Sequence, residues 1–113
     1  MSRDPDRLGR WSDPGLLVLS SLAGGEKHGY AMVRDIEAIA GVHLGPGTLY
    51  GALSRLESQG LIEPVGAEGR RRPYRITGAG ASLLEQRLTT VAKVADTGLS
   101  RLRALGPASG ATA

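Results

Sequence analysis

The residues best equipped for chemistry are three consecutive arginines, Arg70, Arg71 and Arg72, with Tyr74 and Arg75 directly behind them. A guanidinium is always charged and offers five donors in a rigid fork that matches phosphate geometry. Set in a row at one place in the chain, they suit a polyanion; a solvated arginine loop is the bland reading of the same residues. The other candidates are poorer. His28 and His43 are the only histidines, and neither has a carboxylate or cysteine at metal-ligand spacing, so turn or cap roles are expected for both and no metal. Cysteine is absent, which removes disulfides, thiolate metal sites and thiol catalysis together. There is no glycine-rich phosphate loop and no pair of carboxylates. Neither an enzyme nor a cofactor is expected.

Composition sets the bounds. A chain of 113 residues allows one domain with a modest core. Of its 14 basic residues twelve are arginine; the formal net charge is +3 and the pI about 9.8, which permits a nucleic-acid partner without demanding one. Aromatics are scarce, with Trp11, Tyr30, Tyr50, Tyr74 and no Phe, so a wide aromatic-lined pocket within one protomer is not expected. No run of 18 apolar residues occurs, and the opening MSRDPDRLGRW is polar and mixed in charge. A cytoplasmic protein with no membrane partner is the expectation.

The arginines need an element to present them. Residues 61–65 and 73–77 are short extended runs around Gly66, Ala67, Glu68 and Gly69, and Pro64 marks an edge. That predicts a two-stranded ribbon with the arginines at its tip. Just before it, Pro46 suits the first turn of a helix and Gly60 the left-handed position that closes one. Between them Leu49, Ala52, Leu53 and Leu56 form one apolar stripe. The opposite face carries Gly47, Gly51, Ser54 and Ser58, with Thr48, Tyr50 and Arg55 at its borders. A solvated face would carry Glu, Lys and Gln. This one is nearly bald, which fits either close approach to a large surface or a small-residue contact with another helix.

The remaining elements position that helix. Ser12 or Asp13 can cap a first helix with Pro14 just inside, and Trp11 stands where a hydrophobic staple would sit. Leu16, Leu17, Val18, Leu19, Leu22 and Ala23 leave it almost no polar face, a hint of cover from a partner subunit. A second helix is predicted from about His28 to Ala40, its stripe made by Met32, Val33, Ile36, Ile39 and Ala40, with Arg34, Asp35 and Glu37 facing water. The short link from Gly41 to Gly45 makes helices two and three a helix-turn-helix. A wing that grips phosphates while the bald helix enters the major groove explains both oddities at once. From Thr77 a helical period resumes. Leu84, Leu88, Val91, Ala95, Gly98, Leu102 and Leu105 make a seam longer than so small a domain can cover, so pairing with a second copy is predicted. At Gly98 a kink or a close crossing is expected.

His28-Gly29-Tyr30, Gly47-Thr48-Leu49-Tyr50, Arg55-Leu56-Glu57, Gly60-Leu61-Ile62 and Gly69-Arg70-Arg71-Arg72 with Tyr74-Arg75-Ile76-Thr77 together resemble the PadR family of bacterial transcriptional regulators. The resemblance covers roughly residues 16–84. It implies a winged helix-turn-helix that binds double-stranded operator DNA as a homodimer, usually as a repressor. It further implies DNA contacts from Thr48, Tyr50 and the wing arginines. Gly51 stands where many members carry Pro. Small members have a cavity between the first and last helices of the dimer, some with a tryptophan there; Trp11 is accordingly either a staple or a contact for a small-molecule effector. Longer members carry a large C-terminal helical domain for which this chain is too short.

The expected fold is mainly α with a two-stranded β wing: a winged helix-turn-helix with a long C-terminal dimerisation helix. Its parts are an arm over 1–13, the DNA-binding domain over 14–77, the dimerisation helix over 78–105 and a disordered tail over 106–113. The DNA-contact set is Gly47, Thr48, Tyr50, Gly51, Ser54, Arg55, Arg70, Arg71, Arg72 and Tyr74. The dimer set is Leu16, Leu84, Leu88, Val91, Ala95 and Leu102. A winged-helix module for protein contacts, without operator binding, is the competing reading.

Overall fold

The computed structural model describes residues 13–66 and 72–111, with side chains as far as residue 106. Helix α1 spans Pro14–Leu22, α2 Gly29–Ala40 and α3 Pro46–Ser58; strands β1 (Ile62–Pro64) and β2 (Tyr74–Ile76) follow, and α4 runs Gly78–Ala111. Asp13 caps α1, its carboxylate accepting from the Gly15 N–H at 2.9 Å, and Pro14 occupies the first helical position. Gly41 closes α2 in the left-handed conformation.

The apolar stripes meet in one core. Leu17, Val18, Leu19 and Leu22 of α1 pack with Met32 and Ile36 of α2 and with Leu49, Ala52, Leu53 and Leu56 of α3; Leu44, Leu61, Ile62 and Leu84 complete it. Helix α1 touches α2, α3, α4 and β2. Its nearly polar-free circumference is therefore covered by its own protomer, which removes the reason for inferring a partner from it. Ile39 and Ala40 are exposed rather than part of the buried stripe, because the last turn of α2 outruns the core.

The strands pair antiparallel, Ile62 opposite Ile76, Glu63 opposite Arg75 and Pro64 opposite Tyr74. One feature exceeds the expected ribbon. Lys27 pairs with Tyr74 in both directions, the two N–H···O bonds measuring 3.1 and 2.9 Å, so β2 is flanked on its other edge by a single-residue bridge. The Lys27 ammonium meanwhile donates to the Ser21 carbonyl at 2.6 Å and lies 4.0 Å from Asp35 Oδ2, which accepts from the buried Ser21 hydroxyl at 2.7 Å. A small polar knot thus ties the end of α1 to α2 and to the wing.

Thr77 joins the wing to α4. Its hydroxyl oxygen accepts from the Gly80 N–H at 3.0 Å as an N-cap and donates to the Gly60 carbonyl at 2.7 Å. At Gly80 a Cβ would stand 2.0 Å from the Leu61 carbonyl oxygen and 2.9 Å from Ile76 Cγ1, so only glycine lets α4 start this close to β1. The helix then leaves the body: the molecule measures 60 × 30 × 22 Å, and its radius of gyration is 17.0 Å. A compact domain of such length would have about 13 Å. The helix passes Gly98 with helical geometry, so no kink forms there, and nothing lies within 4 Å of a Cβ at that position. Its break comes at Gly106 (φ 81, ψ 162), after which the backbone is again helical to Ala111. Among the described residues no helix is long and apolar enough to cross a membrane.

Candidate nucleic-acid interface

Burial of Leu49, Ala52, Leu53 and Leu56 turns the other face of α3 outward. Gly47, Thr48, Ser54, Arg55 and Ser58 are exposed, Gly51 is half-buried, and Tyr50 is 58% exposed. Bald faces arise either from packing that admits nothing larger or from a surface kept clear. Here a Cβ on Gly47 would meet nothing within 4 Å, and one on Gly51 only Arg55 Nη1 at 3.8 Å. Packing within the protomer does not require these glycines. At Gly29 the opposite holds: a Cβ there would lie 3.2 Å from the Tyr50 hydroxyl and 3.3 Å from Leu49 Cδ2, so the start of α2 presses directly on α3.

That contact closes one side of a cleft of about 690 Å³ lined by His28, Gly29, Tyr30, Ala31, Tyr50, Arg72 and Tyr74. All three tyrosines of the chain converge there, contrary to the expectation that scarce aromatics would leave no aromatic-lined pocket. Composition counts residues, whereas the first turn of α2, α3 and β2 happen to meet at one point. Tyr30, 72% exposed, belongs to this surface although the sequence reading left it out of the DNA-contact set. The available signal was its place directly after Gly29. Of the wing arginines, Arg72 borders the cleft; Arg70 and Arg71 lie outside the described residues, as does Trp11.

Charge is distributed unevenly among the arginines. Arg75 Nε donates to Glu63 Oε2 across the ribbon at 2.8 Å, and its Nη1 stands 3.8 Å from Glu26 Oε2. The hydrogen bond donated to Glu63, then that carboxylate's charge, then the charge of Glu26 hold its pKa above the usual arginine value. Arg75 is thus a charged residue paired with two carboxylates in the ribbon, not part of a free positive tip. Arg34 and Arg55, by contrast, have no carboxylate within salt-bridge distance among the described residues. Arg34 Nη1 donates to the Tyr30 hydroxyl at 3.4 Å, with its guanidinium carbon 5.7 Å from the ring centroid.

His43, expected to lack an acidic partner, pairs through Nδ1 with Glu37 Oε2. Six residues is not a helical spacing; the turn after Gly41 folds His43 back along α2. His28 is the N-cap residue of α2, makes no side-chain cap and lines the cleft.

The seam residues divide in two. Leu84 is only 6% exposed and belongs to the protomer's own core, and Leu16 is half-buried at that core's margin. Leu84 is therefore corrected from partner contact to core residue, because α1 and β2 already cover the first turns of α4. Farther out Leu88 and Leu102 are exposed, the latter by 62%, Val91 is half-buried and Ala95 exposed. Val94 and Leu99 are exposed as well and were not read as part of the seam. A groove of about 520 Å³ runs between Ala23, Ile76, Ala81, Leu84, Leu88 and Ala92, with Glu85 and Thr89 at its polar side.

Comparison with known proteins extends this picture. A sequence model of the transcriptional regulator PadR-like family matches residues 18–86, more than half of the chain. An uncharacterised 37.1 kDa protein in transposon TN4556 of Streptomyces fradiae is 47% identical over 85 residues, covering 75% of this chain but 25% of that protein. The transcriptional regulator Rv3488 of Mycobacterium tuberculosis is 42% identical over 76 residues, covering 64% of this chain and 70% of the relative. The chain thus spans a quarter of one of these relatives and most of the other. Among solved structures, a PadR family transcription regulator from Clostridium difficile R20291 aligns with a TM-score of 0.62 at 30% identity, over 76% of this chain and 97% of its own.

Proposed function

The chain belongs to the PadR-like family of transcriptional regulators, and from that premise we propose that it binds operator DNA sequence-specifically, as a homodimer, and represses transcription. Helix α3 enters the major groove through Gly47, Thr48, Gly51 and Ser54, with Tyr50 and Arg55 at its borders. Arg70, Arg71 and Arg72 grip the flanking phosphates, and Tyr74 backs them. The exposed apolar face of α4, from Leu88 through Val91 and Ala95 to Leu102, pairs with a second copy. The same reading includes a small-molecule effector that releases DNA, bound between the first and last helices of the dimer, with Trp11 either its aromatic contact or a staple on the first helix. The protein works in the cytoplasm, carries no cofactor and performs no catalysis of its own.

The observation that carries this reading is the open space around Gly47 and Gly51. A helix face kept clear beside an arginine-bearing hairpin has a use when a duplex lies against it and none within the protomer. The competing reading, a protein-contact module, is separated by duplex binding. Affinity for a random duplex measured from 50 to 200 mM salt should fall steeply, because each phosphate contact releases condensed counterions. Absence of salt-dependent binding to any duplex would favour the protein-contact reading.

A further inference from the structure

We infer that Lys27 is a positioning residue for the wing. Its ammonium, fixed with Ser21 and Asp35 at the end of α1, holds β2 at the angle from which the wing arginines reach the duplex. The inference rests on the operator-binding reading and concerns a side chain that itself touches no DNA. Three observations carry it. First, the wing has little internal support. Each strand has three residues, and a two-stranded hairpin this short is marginal in water. Ile62 and Ile76 seat its base on the core. Nearer the tip β2 leans on Lys27, through the two N–H···O bonds of 3.1 and 2.9 Å shared with Tyr74. Tyr74 follows Arg72 by two residues, so the place of residue 27 bears directly on the place of that guanidinium.

Second, the Lys27 side chain ties this support to the body. Lys27 stands in the link between α1 and α2, and both its backbone groups are spent on Tyr74. Its ammonium donates to the Ser21 carbonyl at 2.6 Å and to the Gly25 carbonyl at 3.3 Å, where the unpaired carbonyls of a helix end attract a cation. The fit is close: a Cβ on Gly24 would stand 3.4 Å from both the ammonium and the Ser21 carbonyl. Third, the acid beside it is anchored in turn. Asp35 Oδ2 lies 4.0 Å from the ammonium and accepts from the Ser21 hydroxyl at 2.7 Å, and Ser21 is 1% exposed. A buried hydroxyl without a partner is costly, so Asp35 stays on Ser21 and faces Lys27. Lys27 does not line the cleft between α3 and the wing, and its donors are turned to α1. It acts on DNA through Arg72 and not by contact.

The test is a pair of double-mutant cycles. Lys27→Met and Asp35→Asn are each made alone and together with Arg72→Ala, and affinity for a random duplex is measured at low salt. Asp35→Asn keeps an acceptor for the Ser21 hydroxyl and so preserves the fold. It also removes a negative charge, which by charge alone would tighten DNA binding. Weaker binding by a severalfold factor is expected instead, because Lys27 loses its partner and the wing its place. Arg72→Ala should cost roughly tenfold in the parent but less than about threefold in Lys27→Met, where the arginine no longer reaches its phosphate. Equal loss from Arg72→Ala in the two backgrounds would show that Lys27 does not act through Arg72. Asp35→Asn binding as tightly as the parent, or more so, would likewise overturn the positioning role. A lower melting temperature in Lys27→Met with parental affinity would reduce the knot to support of the fold alone. Each of these leaves operator binding standing. If the unaltered protein binds no duplex, the operator reading and the positioning role fall together.

Discussion

Two glycines show how differently the same residue can be used. Gly51 has room beside it and Gly80 has none. Gly51→Leu is therefore expected to fold at least as well as the parent, since leucine is the better helix former by most of about 1 kcal/mol. Its melting temperature should hold or rise while DNA affinity falls, because the isobutyl group would press on base edges. A lower melting temperature with affinity intact would mean that this face packs against protein. Gly80→Ala drives a Cβ into the Leu61 carbonyl and should cost at least about 1–3 kcal/mol, read as a lower midpoint in denaturant. Sequence alone could not tell these two apart. The bald stripe announced Gly51, since small residues replaced the charges expected there. Gly80 sits in an ordinary first turn, and the clash that demands it comes from the Leu61 carbonyl, about twenty residues earlier and just ahead of β1.

At the level of elements, the stripes of α1 and α3, the cap at Thr77 and the edge position of Pro64 were legible because each rests on spacing between near neighbours. What was not legible depends on distant parts of the chain. The Lys27 bridge to β2, the Glu63–Arg75–Glu26 group and the pairing of His43 with Glu37 have no periodic signature. Nor does convergence of three tyrosines follow from their number. The C-terminal helix was read as ending at residue 105 with a disordered tail beyond, whereas α4 resumes after Gly106 and runs to Ala111, and Leu84, read as interface, is spent on the core. That division sharpens a test. Leu102 is exposed in the protomer, so Leu102→Asp should leave the fold intact and yield a monomer in sedimentation. Leu84→Asp should unfold the protein instead. A well-folded dimer of Leu102→Asp with unaltered DNA affinity would put the partner surface elsewhere. In the wing, Arg72→Ala should weaken all duplexes alike and reduce the salt slope by about one unit, whereas loss of sequence preference at constant slope would mean base readout.

The molecule as a whole is a small body with a long apolar-faced arm, 60 Å in its greatest extent. A solitary chain of this shape leaves Leu88, Val94, Leu99, Leu102 and Leu105 in water. Pairing of two arms about a twofold axis would cover them and set two α3 helices on one side of the dimer, oriented oppositely. Symmetry in the protein then has to reappear in the DNA. Selection of tightly bound fragments from a genomic pool tests the central claim most directly. The account predicts that the tightest sites are inverted repeats, with half-site centres separated by about 10 base pairs or a multiple of that. Recovery of single unpaired half-sites, or of fragments with no shared sequence, would contradict it.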